Sequence, residues 1–297
     1  MKALEGKIAL VTGASRGVGK GVALALGEAG ATVYITGRTA TRDSQGGIWM
    51  GEMLPGSLEE TAEEVTKRGG TGIPVGCDHR DDEQVRRVFE RIRNEQGKLD
   101  ILVNNAFMSH ESIAEDKCFW EVPIATWDNQ QTVGLRSAYV ASVYAAQMMV
   151  PVGHGLIVNI SSPVAAGYIY QAAYGVVKAG LDRLSGDMAY ELKPYGIASV
   201  SLWPGPIGTE KTKIIVSKMA LSTHESKEES PFHVGLAVAA LAADAKVMEK
   251  TGSVLITAEL GEEYGFTEED GSRPINPRQM LWGPPPPAVY KIPKRKA

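Results

Sequence analysis

Along most of the chain, short apolar runs rich in β-branched residues alternate with longer segments whose apolar positions recur at helical spacing. Residues 7–12, 31–36, 71–77, 99–103, 156–160, 197–203 and 253–257 read as strands, and their near-continuous apolar character predicts burial on both faces of a sheet. Between them, residues 20–29, 58–68, 81–96, 126–149, 174–193 and 234–243 read as helices. Val85, Val88, Phe89 and Ile92 form one apolar stripe, and Leu181, Leu184, Met188 and Leu192 form another. Ser57 followed by Glu60 has the spacing of a capping box and should open the second helix. The alternation of strand and helix is unbroken from residue 7 to residue 257. It predicts one α/β domain, a doubly wound and mostly parallel sheet with helices on both faces.

The pattern lapses in four places. Residues 39–55 hold Gly46-Gly47, Trp49, Met50 and Met53 without a period and read as a long loop, either a pocket flap or a mobile insertion. Residues 107–125 are irregular and carry His110, Glu111, Cys118, Phe119 and Trp120, with no partner spaced to make His110 a base. Residues 210–231 are polar and only partly periodic, as suits a movable lid beside a site. After residue 258 the chain turns acidic, then proline-rich, then basic. The expected organisation is a nucleotide-binding domain over residues 1–258, with a substrate loop at 206–232, and a long, partly irregular tail over 259–297.

The first strand runs directly into Gly13-Ala14-Ser15-Arg16-Gly17-Val18-Gly19 and then a helix. Glycines at such a turn let backbone N–H groups and a helix N-terminus approach a pyrophosphate, so the unit reads as a nucleotide cradle. The residues just past the second strand choose the cofactor. A carboxylate there would bind a ribose 2′-hydroxyl and repel a 2′-phosphate, but Thr36-Gly37-Arg38 supplies a guanidinium and Arg16 adds a second cation nearby. NADP(H) is therefore expected over NAD(H).

A second strand and helix carry the reactive groups. Residues 155–160 close on Ser161-Ser162-Pro163, which brings hydroxyls to the end of a buried strand. Tyr174 and Lys178 stand four apart on the next helix and share a face. An ammonium beside a phenol favours the phenolate and lowers a pKa that is ordinarily about 10. Taken alone, the pair reads as an aromatic and a lysine on an ordinary half-buried helix, a spacing that recurs by chance. Asn104-Asn105-Ala106, after the fourth strand, reads either as a turn or as a polar tie between strands at the floor of the cofactor site.

Composition narrows the classes. The chain has 297 residues, 43% of them hydrophobic, enough for one large core. A net charge of -4, with no excess of lysine and arginine, argues against nucleic acid as a partner. The longest apolar stretch, residues 235–243, is about half the length of a membrane span, so no membrane span is expected. Residues 1–7 lack the apolar core of a secretory leader, and Cys77 and Cys118 fit neither a metal-ligand spacing nor a disulfide framework. A cytoplasmic protein without a metal is the expectation.

The glycine turn, Asp78, Asn104-Asn105-Ala106, Ser162, Tyr174-x-x-x-Lys178 and Pro204-Gly205 stand in the order and at the intervals of the short-chain dehydrogenase/reductase family, which the chain resembles over residues 4–257. Val133-Gly134-Leu135, Ser161-Ser162-Pro163, Leu202-Trp203-Pro204-Gly205, and Leu260 leading to Tyr264-Gly265 and Asp270-Gly271 resemble one subgroup of it. The resemblance implies a Rossmann-type α-β-α sandwich and an oxidoreductase that moves hydride between nicotinamide and a carbonyl or secondary alcohol. By the same resemblance Tyr174 is the general acid/base, Lys178 lowers its pKa and holds the nicotinamide ribose, and Ser162 steadies the substrate oxygen. Asp78 would meet the adenine, Asn105 and Ala106 would line the adenosine side, and Thr209 would contact the carboxamide. Gly13, Ser15, Arg16, Gly17, Val18, Gly19, Arg38, Pro204 and Gly205 complete the expected cofactor site. A homo-oligomer, dimer or tetramer, is implied through the helices over 126–149 and 174–193.

Three departures from the family pattern stand out. Phe107 replaces the usual glycine after Asn-Asn-Ala. Gly134 replaces an asparagine that in many relatives helps a water join the lysine to solvent, and Gln130, one turn earlier, could take its place. The interval to Tyr174 is one residue short if Ser162 acts and has the common length from Ser161; Ser162 is preferred because the second serine normally follows this strand. Phe107, Met108, Trp120, Tyr168, Tyr170 and Trp203 are expected to furnish an apolar pocket, which points to a lipophilic carbonyl substrate. Two other readings stay open: a cofactor-binding regulator or scaffold with little turnover, which Gly134 favours, and an epimerase or dehydratase, which the glycine turn and the lack of a large C-terminal substrate domain disfavour.

Overall fold

Leu10, Val33, Leu102, Ile157 and Val200 lie in mid-strand and are fully buried, a condition met only where helices cover both faces of a sheet. The computed structural model describes residues 2–41, 47–108, 117–168, 171–218 and 228–278. In its first half β1 (Ile8–Thr12), α1 (Gly17–Glu28) and β2 (Thr32–Gly37) are followed by the two-residue strands β3 (Ile48–Trp49) and β4 (Glu52–Met53). Then come α2 (Leu58–Lys67), β5 (Thr71–Gly76), α3 (Asp82–Gln96) and β6 (Ile101–Asn104). The second half runs α4 (Ile124–Gln130), α5 (Ser137–Met149), β7 (Gly155–Ile160), α6 (Ala172–Leu192) and β8 (Ile197–Trp203). It ends with α7 (Glu210–Lys218), α8 (Pro231–Ala243), β9 (Val254–Ile256) and α9 (Thr257–Tyr264).

The main sheet has the order β5-β2-β1-β6-β7-β8-β9, with every pair parallel. The strand order reverses between β1 and β6, so the crevice for a ligand opens at the carboxyl ends of these strands. One face is covered by α1, α2 and α8, through Val22, Leu26, Val65, Val234 and Val238. The other is covered by α3 and α5, through Val85, Phe89, Ile92, Ala145 and Met149. Each such valine, leucine, isoleucine, phenylalanine or methionine side chain taken from water contributes about 1.5–3 kcal/mol. Helices α1 and α8 touch backbone to backbone: a Cβ on Gly21 would lie 2.0 Å from the Pro231 carbonyl oxygen, and one on Gly235 would lie 2.4 Å from that of Gly21.

Two local readings are corrected. Residues 39–55 are not a plain loop, since β3 and β4 pair as an antiparallel ribbon turned by Met50 and Gly51, both at positive φ. The helix read over 126–149 begins at Ile124 and is interrupted by a π-helical turn over Gln131–Arg136. Helix α9 runs across residue 258 into the tail, and its Leu260 is 2% exposed in the core. Arg278 pairs with Glu259, and Glu268 accepts the Ser230 N–H, so the described part of the tail lies on the domain. Gly46, His110, Glu111, Tyr170 and residues 279–297 fall outside the described residues. No described helix is long and apolar enough to cross a membrane.

Candidate active site

At the end of β1, Gly13 and Gly17 adopt φ of 67° and 55°, where side chains are disfavoured. A Cβ on Gly13 would stand 2.8 Å from Ala106 Cα, and one on Gly19 would stand 2.4 Å from Asn105 Nδ2. The neighbouring asparagines are ties rather than turn formers. Asn105 Nδ2 donates to the carbonyls of Thr12 and Gly13 at 2.8 and 3.0 Å, while Thr12 Oγ1 accepts the N–H groups of Asn105 and Ala106 at 2.9 and 3.0 Å. From β6, Asn104 Nδ2 donates to Asn159 Oδ1 at 2.8 Å; Asn159 Nδ2 then donates to Ser185 Oγ, also at 2.8 Å. This buried ladder registers α6, which carries Tyr174 and Lys178, against β6 and β7.

A cleft of about 550 Å³ opens over the strand ends. Of the expected cofactor residues, Gly13, Ser15, Arg16, Gly17, Val18, Arg38, Asp78, Asn105, Ala106 and Thr209 wall it. Gly19 is buried beneath, against Asn105. The ribbon contributes Ile48 and Trp49 to the wall, so the segment lies over the pocket. Arg16 fastens it there, giving Nε to the Pro55 carbonyl and Nη2 to the Gly56 carbonyl, each at 2.8 Å. Lys211 from α7 covers the Trp49 ring at 4.2 Å, and burial together with Arg16 and Arg38 pushes its ammonium down to about 8. At the head of α1 the Gly17 N–H donates to the Glu210 carboxylate at 3.1 and 3.4 Å. Asp78 is clamped by Arg80 Nε at 3.1 and 3.0 Å, which holds its carboxyl below the usual range.

Two wall residues escaped the sequence reading. Lys211 is one of many lysines in a polar stretch, and only the fold brings it to Arg16 and Arg38. His79 follows Asp78 and is buried, with Nε2 2.9 Å from Thr36 Oγ1; desolvation pushes its imidazole down to about 4.

The catalytic candidates gather beside the cleft. Ser161 is buried and its hydroxyl donates to the Lys178 carbonyl at 3.0 Å, whereas Ser162, in extended conformation, is half-buried. Lys178 is buried, donates to the Ile160 carbonyl at 2.8 Å, and is lowered to about 8 by desolvation against the pull of Asp182. Burial in turn pushes the Asp182 carboxyl up, although it accepts the Ser201 hydroxyl at 2.5 Å and the Trp203 indole N–H at 3.0 Å. The Tyr174 and Lys178 side chains share a face as expected, with Nζ 5.7 Å from the phenol ring centroid. Phe107, in the cleft wall, lies against both.

The expected apolar pocket is only partly assembled. Phe107 and Met108 line the cleft, but Trp203 is buried on Asp182, and Trp120 and Tyr168 are 72% and 73% exposed. Pro204 is buried behind the site, and the Gly205 N–H donates to buried Glu229 at 2.6 Å. Thr209 Oγ1 accepts the Thr212 N–H at 3.2 Å and so starts α7. Gln130 is fully buried one turn before Gly134, and neither end of its amide meets a partner among the described residues.

The sequence profile of the short chain dehydrogenase family matches residues 7–220. The chain is 42% identical over 284 residues to dehydrogenase/reductase SDR family member 1 of Mus musculus, covering 92% of this chain and 86% of that protein. It is 41% identical over 288 residues to the Homo sapiens protein of the same name, with the same coverage. Among solved structures, a short-chain type dehydrogenase/reductase from Mycobacterium marinum superposes with a TM-score of 0.71 at 30% identity, over 85% of this chain and 94% of that one.

Proposed function

Because the chain belongs to the short-chain dehydrogenase/reductase family, and is an oxidoreductase acting on CH–OH or carbonyl groups with NAD(P)(H), we propose that it prefers NADP(H) and acts on a lipophilic carbonyl compound or secondary alcohol. The observation that carries the cofactor choice is the meeting of Arg16, Arg38 and Lys211 at one end of the cleft, with no carboxylate directly after β2. A guanidinium pair and an ammonium suit a 2′-phosphate and give a bare 2′-hydroxyl little. The site fits a dinucleotide on its own terms. Gly13 leaves room that a Cβ would fill, and Gly17 already offers its N–H to an anion, the Glu210 carboxylate.

When bound, the nicotinamide supplies or accepts the hydride. Gly13 to Gly19, Asp78, Asn105 and Ala106 would hold the nucleotide, and Pro204, Gly205 and Thr209 its nicotinamide half. In carbonyl reduction Tyr174 gives its phenolic proton to the substrate oxygen, and in alcohol oxidation it takes one back. The Lys178 ammonium stabilises the phenolate left behind, and the low polarity around it strengthens that effect. Ser162 donates to the substrate oxygen, a role for which Ser161 is poorly placed because its hydroxyl is buried between the Lys178 carbonyl and the Asp182 carboxylate. Phe107 and Met108 give the catalytic end an apolar surface, which favours a lipophilic substrate.

The reading retains a cytoplasmic, homo-oligomeric protein; exposed Tyr139, Val143 and Val176 on α5 and α6 suit such an interface. NADPH consumption across a panel of ketones and aldehydes, with NADH in parallel, tests it. Tighter binding of NADPH than NADH, turnover of apolar carbonyls, and loss of nearly all turnover in Tyr174→Phe are expected. Cofactor binding without turnover, or a preference for NADH, would count against it.

A further inference from the structure

Phe107 and Gly134 lie apart in the chain yet touch in the fold. A Cβ built on Gly134 would stand 2.9 and 3.0 Å from Phe107 Cδ2 and Cε2, and 2.8 Å from Val177 Cγ1. Real side-chain carbons do not approach so closely, so the ring occupies room that only glycine leaves. The π-helical turn over Gln131–Arg136 carries Gly134, one turn after buried Gln130. Ala138, Val177 and Leu181 close the same apolar cluster around the ring.

The other contacts of the ring are with the reactive pair. Its centroid lies 5.3 Å from that of Tyr174, with the planes tilted by 58°, a spacing at which aromatic pairs attract. Lys178 Nζ lies 5.0 Å from the Phe107 centroid, within cation–π reach. Several groups of the described residues face this ammonium or its carboxylate neighbour, Ser161 on Asp182 among them. Asp182 and Tyr174 come from its own helix, β7 contributes the Ile160 carbonyl, and Ser201 and Trp203 of β8 are bound to Asp182. The ring also belongs to the wall of the cofactor cleft, and the Lys178 side chain it touches is buried.

We propose that Phe107 is a positioning residue for the Tyr174–Lys178 pair: seated on Gly134, its ring fixes the tilt of the phenol and closes the ammonium off from water. The two positions form one device, because a smaller residue at 107 leaves a void and any side chain at 134 evicts the ring. This inference rests on the reading of Tyr174 as the acid/base. It adds that the lysine owes its dry surroundings to Phe107.

Phe107→Leu, Gly134→Ala, their combination and Tyr174→Phe test it in the full chain, with kcat, KM, cofactor affinity and the pH profile of carbonyl reduction measured for each. Phe107→Leu should lose kcat about tenfold or more, by a larger factor than any change in its NADPH affinity, since small misplacements of a reacting group are costly. Its alkaline limb of kcat/KM should move to higher pH, because a hydrated ammonium keeps its proton longer. Gly134→Ala should lose kcat similarly, and the double variant should recover part of that loss, because leucine yields to the added methyl where the ring cannot. Wild-type kcat with an unmoved or lowered limb in Phe107→Leu, or simply additive losses in the double variant, would overturn the proposal. Should Gly134→Ala not fold, Phe107→Leu against Phe107→Tyr decides, the ring-keeping variant retaining more of the rate if the proposal holds and no more if it fails. Turnover surviving in Tyr174→Phe sinks the catalytic reading itself, whereas its loss together with a silent Phe107→Leu sinks only the role of Phe107.

Discussion

Gly17 donates its backbone N–H to Glu210, at 3.1 Å to Oε2 and 3.4 Å to Oε1, so the first residue of α7 sits on the N-terminus of α1. A carboxylate there is favoured by the helix dipole, by about 0.3–1 kcal/mol at an exposed site. It also stands where the turn would receive a phosphate oxygen. Two anions repel at one N–H, so Glu210 would compete with a cofactor phosphate bound at this turn. Glu210→Gln should tighten NADPH binding about threefold to tenfold in a fluorescence titration, more at low salt than at high. Unchanged or weaker binding would refute the competition.

A different carboxylate stands just before α8. Glu229 is buried and accepts the Gly205 N–H at 2.6 Å, the Thr257 hydroxyl at 2.8 Å and His233 Nδ1 at 2.9 Å, joining the exit of β8 to α8 and α9. Removing it leaves three donors buried without an acceptor. Glu229→Ala should lose about 3 kcal/mol of unfolding free energy in urea titration, and Glu229→Gln less, because its amide oxygen still accepts. A loss below about 1 kcal/mol in the alanine variant would show the network to be dispensable.

His79 gives the fold an acid sensitivity whose sign is fixed by its burial. Its imidazole is ordinarily half-protonated at 6.5 and is pushed down to about 4 in the folded chain, first by desolvation and against the pull of Asp78. The unfolded chain therefore binds more protons between these values. The contribution of His79 is fully present above pH 6.5 and is lost as pH falls through 4, by about 3 kcal/mol in all. His79→Gln should shrink the difference in unfolding free energy between pH 7 and pH 5 by about 2 kcal/mol. An unaltered pH dependence in that variant would place the acid sensitivity elsewhere.

What the chain discloses on its own is mostly what is local or periodic. Ser57 caps α2 by accepting the Glu60 N–H at 3.1 Å, because the capping signal lies within four residues. The buried strands are legible because parallel sheets demand apolar residues on both faces. The β3–β4 ribbon is not, since Ile48 pairs with Met53 and Trp49 with Glu52, and two pairs are too few to mark a period. Trp203 closes a strand beside the site, which suggests a pocket wall, but its indole answers buried Asp182, a partner remote in sequence. The tie between Phe107 and Gly134 is hidden for the same reason: each is a solitary departure along the chain, and only the packing joins them.

The π-helical turn over Gln131–Arg136 also governs alignment along its helix. Such a turn holds one residue more than an α-helix would, and each residue of an α-helix turns the chain by about 100°. Deleting one residue there is absorbed if the turn relaxes to α, leaving Ala141 and Ala145 in the core and Thr126 and Gln130 on their present side. Deleting one a turn later, within α5, has no such slack and rotates one half of the helix out of phase with the other. The segment behind the reactive pair is thus where this helix can lose a residue without upsetting its packing at both ends.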